Sequence, residues 1–222
     1  MNRTGSPGLF VTGTDTGVGK TWVAAALARV LHRRGMRVRA RKPVESGWTQ
    51  AAASDAAQLR EAAGAWEALD RVCRWRFPEP VSPALASRRS AAGLTVSRLA
   101  ETCLAGEGGF VLVEGAGGFL SPIAEDGLNA DLALVLGFPV LVVAADRLGA
   151  VNHTLLTLEA VRRRRLHVAG VVLNAVQPEA GRLENAAEIH RLAGLAVASI
   201  PHGGDPSHAL VPWLDTLCPR VR

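Results

Sequence analysis

Residues 13–21 read Gly-Thr-Asp-Thr-Gly-Val-Gly-Lys-Thr, and what flanks that stretch decides the fold. Before it, Phe10–Thr12 closes a short β-branched run. After it, Thr21–Arg34 carries Val23, Leu27, Val30 and Leu31, a spacing that puts one apolar stripe on one helix face. A glycine-rich turn between a strand and a helix can cradle a phosphate, because Gly17 and Gly19 let backbone N–H groups converge on an anion at the helix N-terminus. Lys20 would then reach the β- and γ-phosphates, and the Thr21 hydroxyl would ligate Mg²⁺. The stretch departs from the general pattern G-x-x-x-x-G-K-[ST] at one position. Thr14 stands where the first glycine belongs, and Gly13 lies one residue earlier.

Outward from this loop, short apolar runs alternate with helical patterns. Gly35 ends the first helix and Arg37–Arg41 reads as a second strand, expected beside the strand that enters the loop. Phe110–Val113, Val140–Ala145 and Val168–Leu173 are apolar at nearly every position, as strands buried on both faces are, and Ala196–Ile200 adds a last one. Helical patterns lie at Val96–Leu104, Val151–Arg164 and Glu184–Leu192. The series predicts an α/β fold: a single domain over residues 1–222, with a mainly parallel sheet and helices on both faces. Trp48–Ala92, rich in Ala, Ser and Arg, is the least regular stretch and reads as a helical insertion. In such sheets ligands bind at the carboxyl ends of strands, here Gly13–Thr21, Lys42–Gly47, Glu114–Gly118, Asp146–Asn152 and Asn174.

Composition narrows the class. With 222 residues and 48% hydrophobic side chains, the chain can bury a core, which excludes intrinsic disorder. The longest apolar run, around Phe138–Ala145, is strand-length and well short of the ~18 residues of a membrane helix. Residues 1–8 lack the apolar segment of a secretory signal. Cys73, Cys103 and Cys218 are widely spaced and form no metal pattern, and neither do His153, His190, His202 and His208; a reduced, cytoplasmic setting is expected. The net charge of +5 permits an acidic partner, yet Arg162–Arg165 reads as a helix end where cations complement the dipole, so neither nucleic acid nor membrane is expected. Of 25 basic residues only Lys20 and Lys42 are lysines. In a chain so biased toward arginine, each is expected where a compact ammonium is needed rather than a planar guanidinium.

Three further residues stand at the strand ends. Glu114 directly follows Phe110–Val113, the position of a Mg²⁺-holding carboxylate in phosphate-binding folds; a solvated glutamate opening a glycine turn is the other reading. Asp55 follows Ser54 and reads either as part of a helix cap or as a second metal ligand from a separate segment. Lys42 leaves the second strand in Lys42-Pro-Val-Glu-Ser-Gly47, where Pro43 and Gly47 restrict the loop and set where its ammonium points.

Taken in order, these motifs resemble those of the dethiobiotin synthetases, P-loop NTPase-like enzymes that use ATP to close the ureido ring in biotin biosynthesis. The family's G-T-D-T-x-V-G-K-T matches Gly13–Thr21, Thr14 included, and K-P-V-x-S-G matches Lys42–Gly47. S-D matches Ser54–Asp55, P-x-S-P matches Pro80–Pro83, V-E-G-A-G-G matches Val113–Gly118 and L-G-x-x-N-H matches Leu148–His153. Asn174 ends a strand as in the family, and the resemblance runs from about Phe10 to Pro201. It implies a ligation without a covalent enzyme intermediate. The 7-amino group of 7,8-diaminononanoate takes up CO₂ (or bicarbonate) as a carbamate, the ATP γ-phosphoryl passes to it, and the 8-amino group attacks the resulting carbamic–phosphoric anhydride. Lys20 and Lys42 would be the catalytic cations, and Thr21, Asp55 and Glu114 the Mg²⁺ ligands.

The resemblance also implies binding sets. ATP would meet Gly17, Val18, Gly19, Lys20, Thr21, Trp22, Asp55, Glu114, Gly115, Ala116 and Gly117, with Asn174 reading adenine and Ala175, Pro201, His202 and Gly203 beside it. Taken alone, Trp22 reads as packing, and His202-Gly203-Gly204 is less bulky than the family's segment. Thr14 and Ser46 would contact the diamine or carbamate. Leu148, Gly149, Ala150, Val151 and Asn152 of one subunit would hold the substrate carboxylate of the other, in a homodimer with shared sites. Free N–H groups where Gly149-Ala-Val151 opens a helix suit an anion independently of the family. The alternative is a partitioning- or targeting-type ATPase switch, which shares the loop and sheet but typically carries a lysine where this loop has Asp15. A glutaminase-linked amide ligase of corrin precursors would need a second, glutamine-using domain, for which 222 residues leave no room.

Overall fold

The computed structural model describes residues 6–49, 54–178 and 183–217; Cys218 and most of the N-terminal tail lie outside them. In chain order the elements are β1 (Gly8–Gly13), α1 (Lys20–Arg33), β2 (Val38–Arg41), β3 (Val44–Ser46), α2 (Asp55–Ala62), α3 (Leu69–Val72), β4 (Trp75–Phe77), α4 (Pro83–Arg89), α5 (Val96–Leu104), β5 (Phe110–Gly118), β6 (Pro122–Ala124), β7 (Gly127–Leu128), α6 (Asn129–Leu136), β8 (Val140–Ala145), α7 (Ala150–Arg163), β9 (Val168–Asn174), α8 (Asn185–Ala193), β10 (Val197–Ile200) and α9 (Pro206–Leu217). The main sheet runs β10-β9-β8-β1-β5-β2, with every neighbouring pair parallel.

Alternation along the strands builds two apolar layers, since successive side chains point to opposite faces. Phe10, Val111, Val113, Val140 and Val142 meet α5, α6, α7 and α8 on one face. Leu9, Val11, Phe110, Leu112, Leu141 and Val143 meet α1, α2 and α9 on the other. The all-apolar strands read from the sequence are therefore central strands covered on both sides.

Three readings need correction. The second strand is not beside the first: β5 lies between β1 and β2, pairing Val11 with Glu114 and Arg41 with Val113. The run read as ending at Val113 continues to Gly118, and Glu114 is 1% exposed inside the strand rather than at its open end. Asn129 holds this glycine-rich extension, accepting from the Ala116 N–H and donating to the Ala116 and Gly118 carbonyls. The Trp48–Ala92 stretch carries β4 as well as α2, α3 and α4, and β4 pairs in parallel with β3 in a small second sheet. The sequence reading also passed over α6, the β6–β7 hairpin and α9. In α6, Asn129-Ala-Asp-Leu-Ala-Leu-Val-Leu136 is apolar nearly all round, so no stripe marks it as helical.

Candidate active site

The cleft lies between the loop that follows β1, the chain that leaves β2 and the end of β5. Beyond Gly13 the chain turns through Gly19, whose φ of +94° few side chains adopt; a Cβ there would lie 2.2 Å from Asn174 Nδ2. The turn lets α1 begin at Lys20, and Lys20 Nζ donates to the Asp15 carbonyl at 2.8 Å, so its chain lies over the loop. One residue on, Thr21 Oγ1 donates to Glu114 Oε1 at 2.8 Å.

Lys42 enters from the edge strand. Its backbone N–H donates to the Val72 carbonyl at 2.8 Å, and Pro43 turns the chain into β3. Its ammonium, on a residue 3% exposed, lies 2.6 Å from Glu114 Oε1 and 2.7 Å from Asp55 Oδ2. Glu114 Oε2 is buried and has no hydrogen-bond partner among the described residues. Ser54 is the N-cap of α2, its Oγ accepting from the Ala57 N–H at 3.1 Å, so the cap reading belongs to Ser54 and leaves the Asp55 carboxylate free to face Lys42.

Electrostatics follow from this crowding. Burial alone would lower the Lys42 pKa, but the Glu114 and Asp55 carboxylates hold it above the usual lysine range. Burial, with the Lys42 charge adding to it, lowers Lys20 to about 8. Asp55 is pushed up by burial and pulled down further by the Lys42 ammonium, a net shift below its usual value. Glu45 is raised, chiefly by burial.

These groups line a cleft of about 610 Å³. Of the residues picked from the sequence, Gly17, Gly19, Lys20, Thr21, Lys42, Ser46, Asp55, Glu114, Ala116 and Gly117 line it. Val18 and Gly115 do not: Val18 is buried beneath the loop, and a Cβ on Gly115 would meet Asn129 Oδ1 at 2.5 Å. Trp22 is half exposed on α1, outside the lining. Thr14 is half-buried outside it, its N–H donating to the Val143 carbonyl at 2.9 Å.

A second group gathers at the ends of β9 and β10. Asn174 Nδ2 donates to the Val18 carbonyl at 3.1 Å, the Ala175 N–H donates to the Ile200 carbonyl at 2.9 Å, and His202 Nδ1 lies 3.2 Å from the Ala175 carbonyl, with Pro201 and Gly203 on either side of it. Leu148–Asn152 is apart from the cleft: Leu148 is 87% exposed, Gly149 caps α7 and Ala150 is buried. Sequence reading missed Thr16, Glu45, Ser121 and the Pro80–Pro83 wall as cleft residues. The Pro80–Pro83 motif was visible, but the Gly47 N–H bond to the Glu79 carbonyl at 2.9 Å that helps bring it here is not a local feature.

Comparison with known proteins agrees with this geometry. The AAA domain family matches residues 7–217. The ATP-dependent dethiobiotin synthetase BioD of Anaeromyxobacter dehalogenans (strain 2CP-C) is 46% identical over 219 residues, covering 97% of this chain and 94% of the relative. The enzyme of the same name from Mycolicibacterium vanbaalenii is 43% identical over 201 residues, covering 88% and 87%. Among solved structures, a chain of the MinC:MinD cell division protein complex of Aquifex aeolicus superposes with a TM-score of 0.59 at 14% identity, covering 98% of this chain and 97% of its own. A ParA family ATPase from Chlorobium tepidum TLS gives 0.53 at 14% identity, covering 97% and 93%. At that identity these two structures show a shared fold alone. Similarity to the synthetases over nearly the full length, with the motifs of Gly13–Thr21, Lys42–Gly47, Ser54–Asp55, Pro80–Pro83 and Val113–Gly118 reaching one cleft, means that this chain belongs to the ATP-dependent dethiobiotin synthetase family.

Proposed function

We propose that the cleft around Lys20, Lys42, Asp55 and Glu114 is where this ATP-dependent ligase of biotin biosynthesis converts 7,8-diaminononanoate, CO₂ and ATP into dethiobiotin, ADP and phosphate. One observation carries the reading: the only two lysines in the sequence are both buried and both line one cleft at the strand ends. The 7-amino group adds to CO₂ and loses a proton, giving a carbamate whose charge Lys42 balances. A carbamate oxygen takes the γ-phosphoryl group from ATP while Lys20 and the loop N–H groups hold the phosphates. The 8-amino group attacks the carbonyl carbon of the anhydride, the C–O bond to phosphate breaks as the ring closes, and the amine proton passes to the departing phosphate. No protein nucleophile is required, because positioning and electrostatics supply most of the acceleration in phosphoryl transfer.

The residues present fit Mg²⁺. Thr21, Asp55 and Glu114 offer hard oxygens from three segments, and Glu114 Oε2 is buried without a partner among the described residues. When bound, Mg²⁺ would neutralise charge on the phosphate oxygens. At the far side of the loop, the Asn174 amide suits the N6 and N7 edge of adenine, with Ala175 and Pro201–Gly203 beside it. Thr14 and Ser46 are read as diamine or carbamate contacts.

The reading includes a homodimer in which Leu148–Asn152 of each subunit completes the other's site. Leu148 is 87% exposed in the turn before α7. The Ala150 N–H, expected to be free, donates to the Arg147 carbonyl at 3.0 Å, which leaves the N–H groups of Val151 and Asn152 for the carboxylate. Among the described residues no helix is long and apolar enough to cross a membrane, and Cys73 and Cys103 are free thiols, which suits a reducing cytoplasmic setting. Phosphate release from MgATP, measured with and without diaminononanoate and bicarbonate, tests the reaction. One dethiobiotin per phosphate is expected; fast ATP turnover without the diamine, or none with it, rejects the reading.

A further inference from the structure

One side chain joins the strand after Lys42 to the helix that carries Asp55. Glu45, on β3 and 8% exposed, accepts the backbone N–H of Asp55 at 3.0 Å through Oε1 and that of Ala56 at 3.2 Å through Oε2. These are the first two N–H groups of α2, which no carbonyl within the helix can reach. Ser54 Oγ takes the third, from Ala57. The carboxylate also faces the positive end of the helix dipole. With its first turn held this way, α2 presents the Asp55 carboxylate to Lys42 Nζ at 2.7 Å. Glu45 stands at the one position in the Lys42–Gly47 motif that the family pattern leaves open.

We propose that Glu45 is a positioning residue for the phosphate centre: it clamps α2 to β3, and so sets the aim of Asp55 at the cation and at Lys42. The proposal rests on the reading of Asp55 as a metal ligand. Glu45 borders the cleft, but in this role it acts through Asp55, both of its carboxylate oxygens being engaged by the N–H groups that open α2. Glutamine in its place keeps the shape but accepts only one of the two N–H groups, and turns an NH₂ donor toward the other.

The test is the Mg²⁺ dependence of methylanthraniloyl-ADP binding, read by fluorescence without diamine, in wild type, Glu45→Gln, Asp55→Asn and the double variant. Glu45→Gln is expected to raise the half-saturating Mg²⁺ concentration about tenfold or more, the scale seen when a group orienting a metal ligand is lost. In the Asp55→Asn background the same change should add nothing. Glu45→Asp, which keeps the charge, should recover part of the affinity. Unchanged Mg²⁺ dependence in Glu45→Gln, or an equal further loss in the Asp55→Asn background, overturns the proposal, as would a rise in diamine KM as the sole effect. If Asp55→Asn itself leaves the Mg²⁺ dependence unchanged, the metal reading fails and the proposal falls with it, a pattern distinct from failure at Glu45 alone. If circular dichroism shows that neither Glu45 variant folds, Glu45 is a folding determinant and the positioning role is rejected.

Discussion

Lys42 Nζ is wedged between Glu114 Oε1 at 2.6 Å and Asp55 Oδ2 at 2.7 Å, a space that suits an ammonium and not a planar fork. Lys42→Arg is therefore expected to lower kcat for ring closure by about 100-fold or more, nearly as much as Lys42→Ala. Binding of labelled ADP should persist, since the loop is untouched; near-normal turnover by the arginine variant would reject the shape argument. The second lysine titrates where experiment can follow it. With its pKa lowered to about 8, Lys20 is cationic below that pH and neutral above it. A phosphate beside it favours the charged form, so ADP affinity is expected to fall as pH rises past 8. Lys20→Arg, which stays charged, should flatten that profile in a fluorescence titration from pH 7 to 9.5. Both lysines could be picked out by rarity and place alone. Glu45 could not, because its partners are backbone N–H groups ten and eleven residues away on another element.

At the scale of elements, β2 is an edge strand that buries two arginines. Arg39 donates to the Gly106 carbonyl at 2.6 Å just past the end of α5, where a cation meets unpaired carbonyls. Arg41, fully buried, makes a paired contact with Glu67 at 2.7 and 2.9 Å. Removing one partner of a buried pair strands the other's charge, so Glu67→Ala is expected to destabilise the fold by about 3 kcal/mol. Urea denaturation measures this, and a loss below about 1 kcal/mol would mean that water reaches Arg41. Strand and helix patterns were legible wherever one period dominated. They failed for α6, which is apolar nearly all round, and for Gly115–Gly118, whose extension depends on Asn129.

The proposed shared-site dimer is tested at the scale of the whole molecule. Lys42→Ala disables a site from within, and Leu148→Glu, on a side chain 87% exposed, should repel the substrate carboxylate in the partner's site without disturbing packing. A refolded equal mixture should recover about one quarter of wild-type activity, since half the dimers are mixed and each keeps one intact site. Mixed dimers that form yet stay inactive would reject sharing. The sequence by itself determined a parallel α/β sheet with a phosphate loop at its strand ends, because side-chain period, glycine turns and motif order are local properties of the chain. Tertiary structure alone decided that β5 inserts between β1 and β2. That insertion brings Glu114 between Thr21 and Lys42, while Glu45 on β3 accepts the N–H groups of Asp55 and Ala56. Strand order is set by how two apolar layers cover one sheet, a global packing outcome that no local pattern in the chain encodes.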